Sequence, residues 1–153
     1  MQKITPFLWF DKEAGEAAKF YTTVFKDSKI KNKTTIYNTP SGTAEIVNIE
    51  LLGQEFTLIS AGPYFKFTEA ISFVVNCETQ QEIDYYWEKL SSDPKAEQCG
   101  WLKDKYGLSW QIVPTILPKM LQDEDKEKVA RVTEAFLKMK KFDIDTLQRA
   151  YNG

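Results

Sequence analysis

The chain of 153 residues reads as a mixed α+β protein, with two β-α-β-β-β modules in tandem over about 3–62 and 69–114 and a helical tail over 115–153. Three observations predict this. Segments whose apolar residues alternate with a period of two are interrupted, once in each half, by a segment with three- and four-residue spacing, so strands flank a helix twice. Shifting the first half by 65 residues lays Phe7-Leu8-Trp9-Phe10 on Ser72-Phe73-Val74-Val75 and Phe20-Tyr21 on Tyr85-Tyr86 without a gap, which is an internal repeat. Beyond Pro114 the alternation stops, and helical spacing with ordered terminal charges takes over.

Ile4 to Phe10 is the first expected strand, and Asp11 stands where it can cap the following helix. In that helix Ala14, Ala17, Ala18, Tyr21, Val24 and Phe25 share a stripe, while Glu13, Glu16 and Lys19 are left to water. The small alanines let it sit close on a sheet. Strands follow at about 28–38, 43–52 and 54–60, separated by Thr39-Pro40-Ser41-Gly42 and by Gly53, spacings that imply antiparallel hairpins. In the middle strand Val47, Ile49 and Leu51 share one face and Ile46, Asn48 and Glu50 the other. The loop from Ala61 to Thr68 is too short for a domain linker, so its Tyr64, Phe65 and Phe67 either pack back on their own domain or cover a pocket or partner.

The pattern then restarts with a strand over 69–77. Thr79-Gln80-Gln81-Glu82 has the form of a capping box, and the helix it opens runs to about Leu90, burying Ile83, Tyr86, Trp87 and Leu90. The module closes with a short strand ending near Trp101, a tight turn over Asp104-Lys105-Tyr106-Gly107 and a strand from Leu108 to Val113 that Pro114 stops. Leu108, Trp110 and Ile112 point one way, which suits packing under a helix. Ser109, Gln111 and Val113 point the other, which suits a wet cleft. In the tail, Ile116, Leu117, Met120 and Leu121 anchor a short helix around Pro118. Asp123-Glu124-Asp125 and Lys138, Lys140 and Lys141 bracket a second helix in the order its dipole favours, with Val129, Val132, Phe136 and Met139 as its buried line. Asp143 can cap a last helix carrying Ile144, Leu147 and Tyr151. Such a tail has little core of its own and must pack on the sheets or on a second subunit.

Composition narrows the function classes. With 20 basic against 22 acidic residues, and the basic ones scattered, no stripe exists to follow a phosphate backbone, so nucleic acid is not an expected partner. The apolar start is too short for a signal sequence and no run approaches a membrane span, which places the chain in the cytoplasm with no membrane partner. Cys77 and Cys99 lack metal or redox spacing and are read as reduced thiols. The chain has no histidine, which excludes Ser/His and Cys/His nucleophile pairs and the usual zinc motifs; any chemistry must run on carboxylates, Lys, Tyr or Cys. Its seven glycines form no GxG pair, so dinucleotide and P-loop cradles are absent and no cofactor is expected.

Tandem β-α-β-β-β units, each with a Phe-Tyr or Tyr-Tyr pair late in its helix, resemble the vicinal oxygen chelate superfamily of glyoxalases, extradiol dioxygenases and bleomycin-resistance proteins. Within it the chain is similar to the PhnB-like branch at Ile4-Thr-Pro-Phe-Leu-Trp-Phe-Asp11, Phe20-Tyr21, Ile71-Ser-Phe-Val-Val75 and Trp101-Leu-Lys-Asp-Lys-Tyr-Gly-Leu-Ser-Trp-Gln-Ile-Val-Pro114, over about residues 3–115. The resemblance implies a glyoxalase-like fold for 1–114, with each module lending two ligands to one divalent ion that acts as a Lewis acid. Those four places fall on Thr5, Thr57, Ala70 and Gln111. Alanine has no donor and threonine hydroxyls are poor ligands, so no conventional metal site is expected. By strict alternation the cleft is lined by Thr5, Phe7, Trp9, Asn48, Glu50, Thr57, Ser72, Val74, Ser109 and Gln111, aromatic walls with a few polar groups. The expected role is binding of a flat or amphipathic small molecule without metal, by a homodimer. The alternatives are a lyase, isomerase or dioxygenase-like enzyme with Glu50 or another cleft carboxylate as general base and an ion on Gln111 and Glu50, or a methyltransferase, as some relatives are labelled. Against the last, the chain has no glycine-rich loop of the kind a typical S-adenosylmethionine domain uses.

Overall fold

The computed structural model describes residues 2–153, in two compact units that divide between Phe67 and Thr68. In the first unit β1 (Phe7–Phe10) leads into α1 (Ala14–Val24), followed by β2 (Ser28–Thr39), β3 (Gly42–Leu51) and β4 (Gln54–Ser60). The sheet order is β1-β4-β3-β2, with β1 parallel to β4 and the other pairs antiparallel. Ala14, Ala17 and Ala18 of α1 have no exposed surface, and they lie over a sheet face built from Leu8, Phe10, Val47, Ile49, Phe56 and Leu58. Each large aliphatic side chain buried there contributes roughly 1.5–3 kcal/mol. The expected stripe therefore holds, but the expected cap does not. Asp11 makes no capping bond; the first helical N–H, of Ala14, donates to the Ser60 hydroxyl of β4 at 2.9 Å. In the same turn Gly15 leaves room for the Glu45 carboxylate, which a Cβ would meet at 2.8 Å and push aside.

Two backbone details decide which side chains share a face. The β3–β4 turn is a two-residue hairpin in which Leu52 (φ 50°) and Gly53 (φ 85°) are both left-handed, the geometry that matches strand twist. In β2, Ile30 opposes Ile49 but Asn32 opposes Asn48, so Lys31 is an inserted bulge residue. Ile30 consequently faces α1, whereas Asn32, Thr34 and Ile36 face the opposite, open side.

The second unit begins with β5 (Ser72–Cys77) and α2 (Gln80–Leu90), then β6 (Trp101–Lys103) and β7 (Ser109–Pro114). Its order is β5-β7-β6, with β5 parallel to β7. This sheet has three strands where the first has four. The stretch after α2 is an irregular run with a single helical turn at Pro94–Ala96, tied to β6 by Ser92 N–H to the Lys103 carbonyl (2.9 Å) and Gln98 N–H to the Trp101 carbonyl (3.1 Å). Pro94 has no N–H to continue a ladder. The capping box forms as expected: the Thr79 hydroxyl accepts the Glu82 N–H at 3.1 Å, while the Glu82 carboxylate reaches back to the Glu78 N–H at 2.8 Å. Val75, Cys77, Ile83, Leu102, Trp110 and Ile112 fill the space between sheet and helix.

The tail belongs to this unit. It comprises α3 (Ile116–Leu121), α4 (Lys126–Leu137) and α5 (Ile144–Asn152), with Asp125 capping α4 and Asp143 capping α5. Between α4 and α5 the Met139 and Lys140 carbonyls accept the N–H groups of Cys99 and Gly100, both at 2.8 Å. The Gln80 side chain donates to the Phe142 carbonyl and accepts from the Ile144 N–H, and Lys141 pairs with Asp84 at 2.8 Å. Phe142, only 3% exposed, lies where a Cβ at Gly100 would be, 2.3 Å away; Gly100 (φ 82°) admits both the ring and the left-handed backbone.

Candidate functional site

The open face of the first sheet is ordered in rows across the strands. Register puts Phe7 beside Thr57, Thr57 beside Asn48, and Asn48 beside Asn32. The Thr57 hydroxyl donates to Asn48 Oδ1 (2.8 Å), and Asn48 Nδ2 donates to Asn32 Oδ1 (2.6 Å), so a polar chain crosses three strands. Asn32, Asn48 and Thr57, together with Thr5, Lys31, Ile49, Glu55 and Phe56, line a recess of about 410 Å³. One row along the strands the surface is apolar: Trp9, Ile46 and Ile59 pack with Ala44 and Ala61. Trp9, Ile36, Ala44, Ile59, Ala61, Tyr64 and Phe65 line a second recess of about 370 Å³. The Trp9 indole is fixed by its N–H bond to the Gly62 carbonyl (2.9 Å) and meets Phe65 edge-on at 4.9 Å between centroids. In the same loop Phe67 turns onto Phe10 at 5.3 Å, while Tyr64 and Phe65 stay 60% and 65% exposed at the recess. A third and larger hollow of about 560 Å³, near the start of α1, is lined by Asp11, Glu45, Pro63 and other residues and contains none of the expected site residues.

Charges at the polar end are balanced. Lys31 forms an ion pair with Glu55, and Lys29 stands opposite Glu50 in register. The hydrogen bond to Glu55, then the charge of that carboxylate and that of Glu50, hold the Lys31 ammonium above its ordinary range. The same bond, helped by the Gln2 N–H, holds Glu55 below the usual carboxylate range. Glu50 is half-buried within this charge cluster.

In the second unit Ser72, Val74, Ser109 and Gln111 share the open face of the sheet, as strict alternation requires. Gln111 Nε2 donates to Ser72 Oγ at 2.9 Å. Val74 is 49% exposed. Ser109 lies between Ser72 and Lys103 in register and is only 1% exposed; its hydroxyl is the one buried side-chain polar atom without a partner among the described residues. Lys103 is drawn instead to Glu69, whose carboxyl is held below its usual range first by that hydrogen bond. On the opposite face Asp104 (3% exposed) closes the hairpin, its carboxylate accepting the Tyr106 and Leu108 N–H groups (2.9 and 3.1 Å) and the Trp110 indole N–H (2.9 Å). Cys77 is fully buried, and desolvation, followed by the charge of Glu82, pushes its thiol up to about 12.

The four places that would carry a divalent ion do not suit one. Thr5 and Ala70 are exposed and lie ahead of the strands, the Thr57 hydroxyl is donated to Asn48, and Gln111 turns its amide to Ser72. No group of three or more His, Cys, Asp or Glu among the described residues is arranged to hold a metal. Sequence reasoning missed Asn32, Lys31, Ile36, Ala44, Ile59 and Ala61 as parts of the first unit's open face. The three β2 contributors, Lys31, Asn32 and Ile36, depend on a bulge that alternation alone cannot reveal. Ala44, Ile59 and Ala61 could have been found by following Asn48 and Thr57 along their own strands in steps of two.

The family model described as 3-demethylubiquinone-9 3-methyltransferase matches residues 2–113. A PhnB protein from Bacillus cereus is 39% identical, with 74% of this chain and 100% of that one covered and a TM-score of 0.63. Protein PA1353 from Pseudomonas aeruginosa is 14% identical over 74% of this chain and 98% of its own, with a TM-score of 0.59. The fosfomycin resistance protein FosX from Listeria monocytogenes, in a variant complexed with Mn(II) and 1S,2S-dihydroxypropylphosphonic acid, is 13% identical over 80% of this chain and 100% of its own, with a TM-score of 0.56. The last two likenesses concern the fold alone. No curated protein matches the chain.

Proposed function

The chain belongs to the 3-demethylubiquinone-9 3-methyltransferase family, in the PhnB-like branch of the vicinal oxygen chelate superfamily, and from that premise we propose that it binds a small amphipathic molecule without a metal ion. The observation that carries this reading is the adjacency, on one open sheet face, of an apolar recess of about 370 Å³ and a mixed one of about 410 Å³ that holds the Thr57-Asn48-Asn32 chain. Apolar walls with a few placed polar groups are what small-ligand sites use. The poor donor set at Thr5, Thr57, Ala70 and Gln111 supports the metal-free part.

The same reading makes the protein a cytoplasmic homodimer that engages neither nucleic acid nor membrane. Exposed apolar residues on the open faces, Phe7 (57%) and Val74 (49%), support a second copy, and the free thiols of Cys77 and Cys99 support a reducing compartment. No helix among the described residues is long and apolar enough to cross a membrane.

Titration of Trp fluorescence with medium-chain amphiphiles tests the proposal. Binding to the wild type and its loss in Phe65→Ala, a change of a 65% exposed residue that leaves the core intact, is the expected result. Equal binding by the variant, or near-stoichiometric metal by elemental analysis after growth with Zn, Ni, Fe and Mn, overturns it. Tight binding of S-adenosylmethionine by calorimetry would favour the activity named in the family's description instead.

A further inference from the structure

We infer that the head group selected by the first unit's open face is an uncharged hydrogen-bond acceptor, the carbonyl of a ketone, ester or amide, carried on an apolar body that lies toward Ala44. This inference rests on the amphiphile-binding role proposed above and adds the chemistry of the ligand.

The donor count comes first. A primary amide has two N–H donors. Asn48 uses one of them on Asn32 Oδ1, and its own oxygen accepts from Thr57. One Asn48 N–H is left over on a half-buried side chain, and both N–H groups of the exposed Asn32 are left over beside it. Turning both amides end for end reverses the chain, with Asn32 donating to Asn48 and Asn48 to Thr57, yet it still leaves Asn48 one N–H. In either arrangement the middle of the row keeps an unpaired N–H, and because a carbonyl oxygen tolerates an unused lone pair better than an N–H tolerates lacking a partner, the group that completes the row is an acceptor oxygen.

Charge then separates acceptors from one another. Two ammonium groups, Lys29 and Lys31, stand against two carboxylates, Glu50 and Glu55, and the closest pair is already joined as Lys31–Glu55. The four charges sum to zero, so neither a carboxylate or phosphate head nor an amine meets a net opposite charge there. A neutral carbonyl loses the least solvation in such a place. The length of the body follows from strand geometry: Ala44 and Asn48 lie on the same face of β3, four residues or about 13 Å apart. Between them Ile46, with Ile59 and Trp9 on one side, offers apolar surface that only Thr34 on β2 interrupts.

Methyl octyl ketone, decanoate and decylamine have comparable bodies and differ in the head. Titrated into the full chain and followed by Trp fluorescence, the ketone is expected to bind about tenfold more tightly than either charged compound, the ratio one good hydrogen bond provides. Asn48→Asp, which replaces the spare N–H with an anionic oxygen, is expected to lose the ketone by about tenfold and to gain the amine. Asn32→Ala, at an exposed position that folding does not need, is expected to weaken the ketone less, about threefold. Decanoate or decylamine binding as tightly as the ketone, or ketone affinity unchanged in Asn48→Asp, overturns the inference while leaving the amphiphile reading in place. Failure of all three compounds to bind the wild type removes both.

Discussion

The open faces of the two sheets make an informative pair. Each carries a hydroxyl residue in its last strand, flanked by the first strand and the penultimate one: Thr57 between Phe7 and Asn48, and Ser109 between Ser72 and Lys103. Thr57 is half-buried and hydrogen-bonded to Asn48. Ser109 is buried and has no partner. The difference arises one strand away, where an amide in the first sheet stays in its row and a long cation in the second leaves its row for Glu69. Like topology thus supports unlike surfaces, because a row's polarity depends on whether each neighbour can reach back along it. The first sheet also gains a fourth strand, and with it Asn32 and Ile36. The second replaces that strand with an irregular run and gains the tail.

In the second sheet the turn and the tail contacts carry the largest expected losses. Asp104→Ala strands three donors, two of them backbone, in a buried hairpin, and is expected to lower unfolding free energy in urea by about 3 kcal/mol or more. Gly100→Ala forces a left-handed Cβ against Phe142; about 2–3 kcal/mol should be lost, with faster hydrogen exchange at the Cys99 and Gly100 amides as the tail lifts. Unchanged exchange there would mean that the tail's contacts are dispensable.

The hydroxyl pair tests the comparison directly. Thr57→Ala breaks a made bond and should cost about 1 kcal/mol, whereas Ser109→Ala removes a hydroxyl that lacks a partner and should be neutral or stabilising by a similar amount. Equal destabilisation by both would erase the distinction. At neutral pH the smallest effect concerns Cys77. Its folded pKa lies near 12 against an ordinary 9.0, so the folded state holds its proton longer than the unfolded one. The contribution to stability is intact below pH 9.0 and is lost as pH rises toward 12. Cys77→Ser should flatten that alkaline loss, and alkylation of the folded protein should reach Cys99 before Cys77.

Much of this was legible from the residues. The alanine stripe of α1, the Thr79 capping box, the caps at Asp125 and Asp143 and the turn after Lys103 all follow from local chemistry, and all are present. The alternation that put Asn48 with Glu50, and Ser109 with Gln111, holds in both sheets. What was not legible depends on partners distant in sequence. Asp11 is the obvious cap for α1, yet Ser60, 46 residues from Ala14, satisfies the helix instead. Ile30 and Ile36 share a parity that should place them on one face, and the bulge at Lys31 divides them.

The residues by themselves determined the fold class, the repeat, the alanine stripe of α1 and the absence of imidazole chemistry, because propensity, periodicity and donor inventory are properties of short windows. Only the tertiary structure decided that Asn32 joins Asn48 and Thr57 in one row, that Gln111 faces Ser72 rather than Ala70, and that the tail closes on Gly100. Those outcomes turn on strand register and on single inserted residues. A shift of one residue there exchanges the two faces of a strand, and nothing local in the chain records which alignment the neighbouring strand will impose.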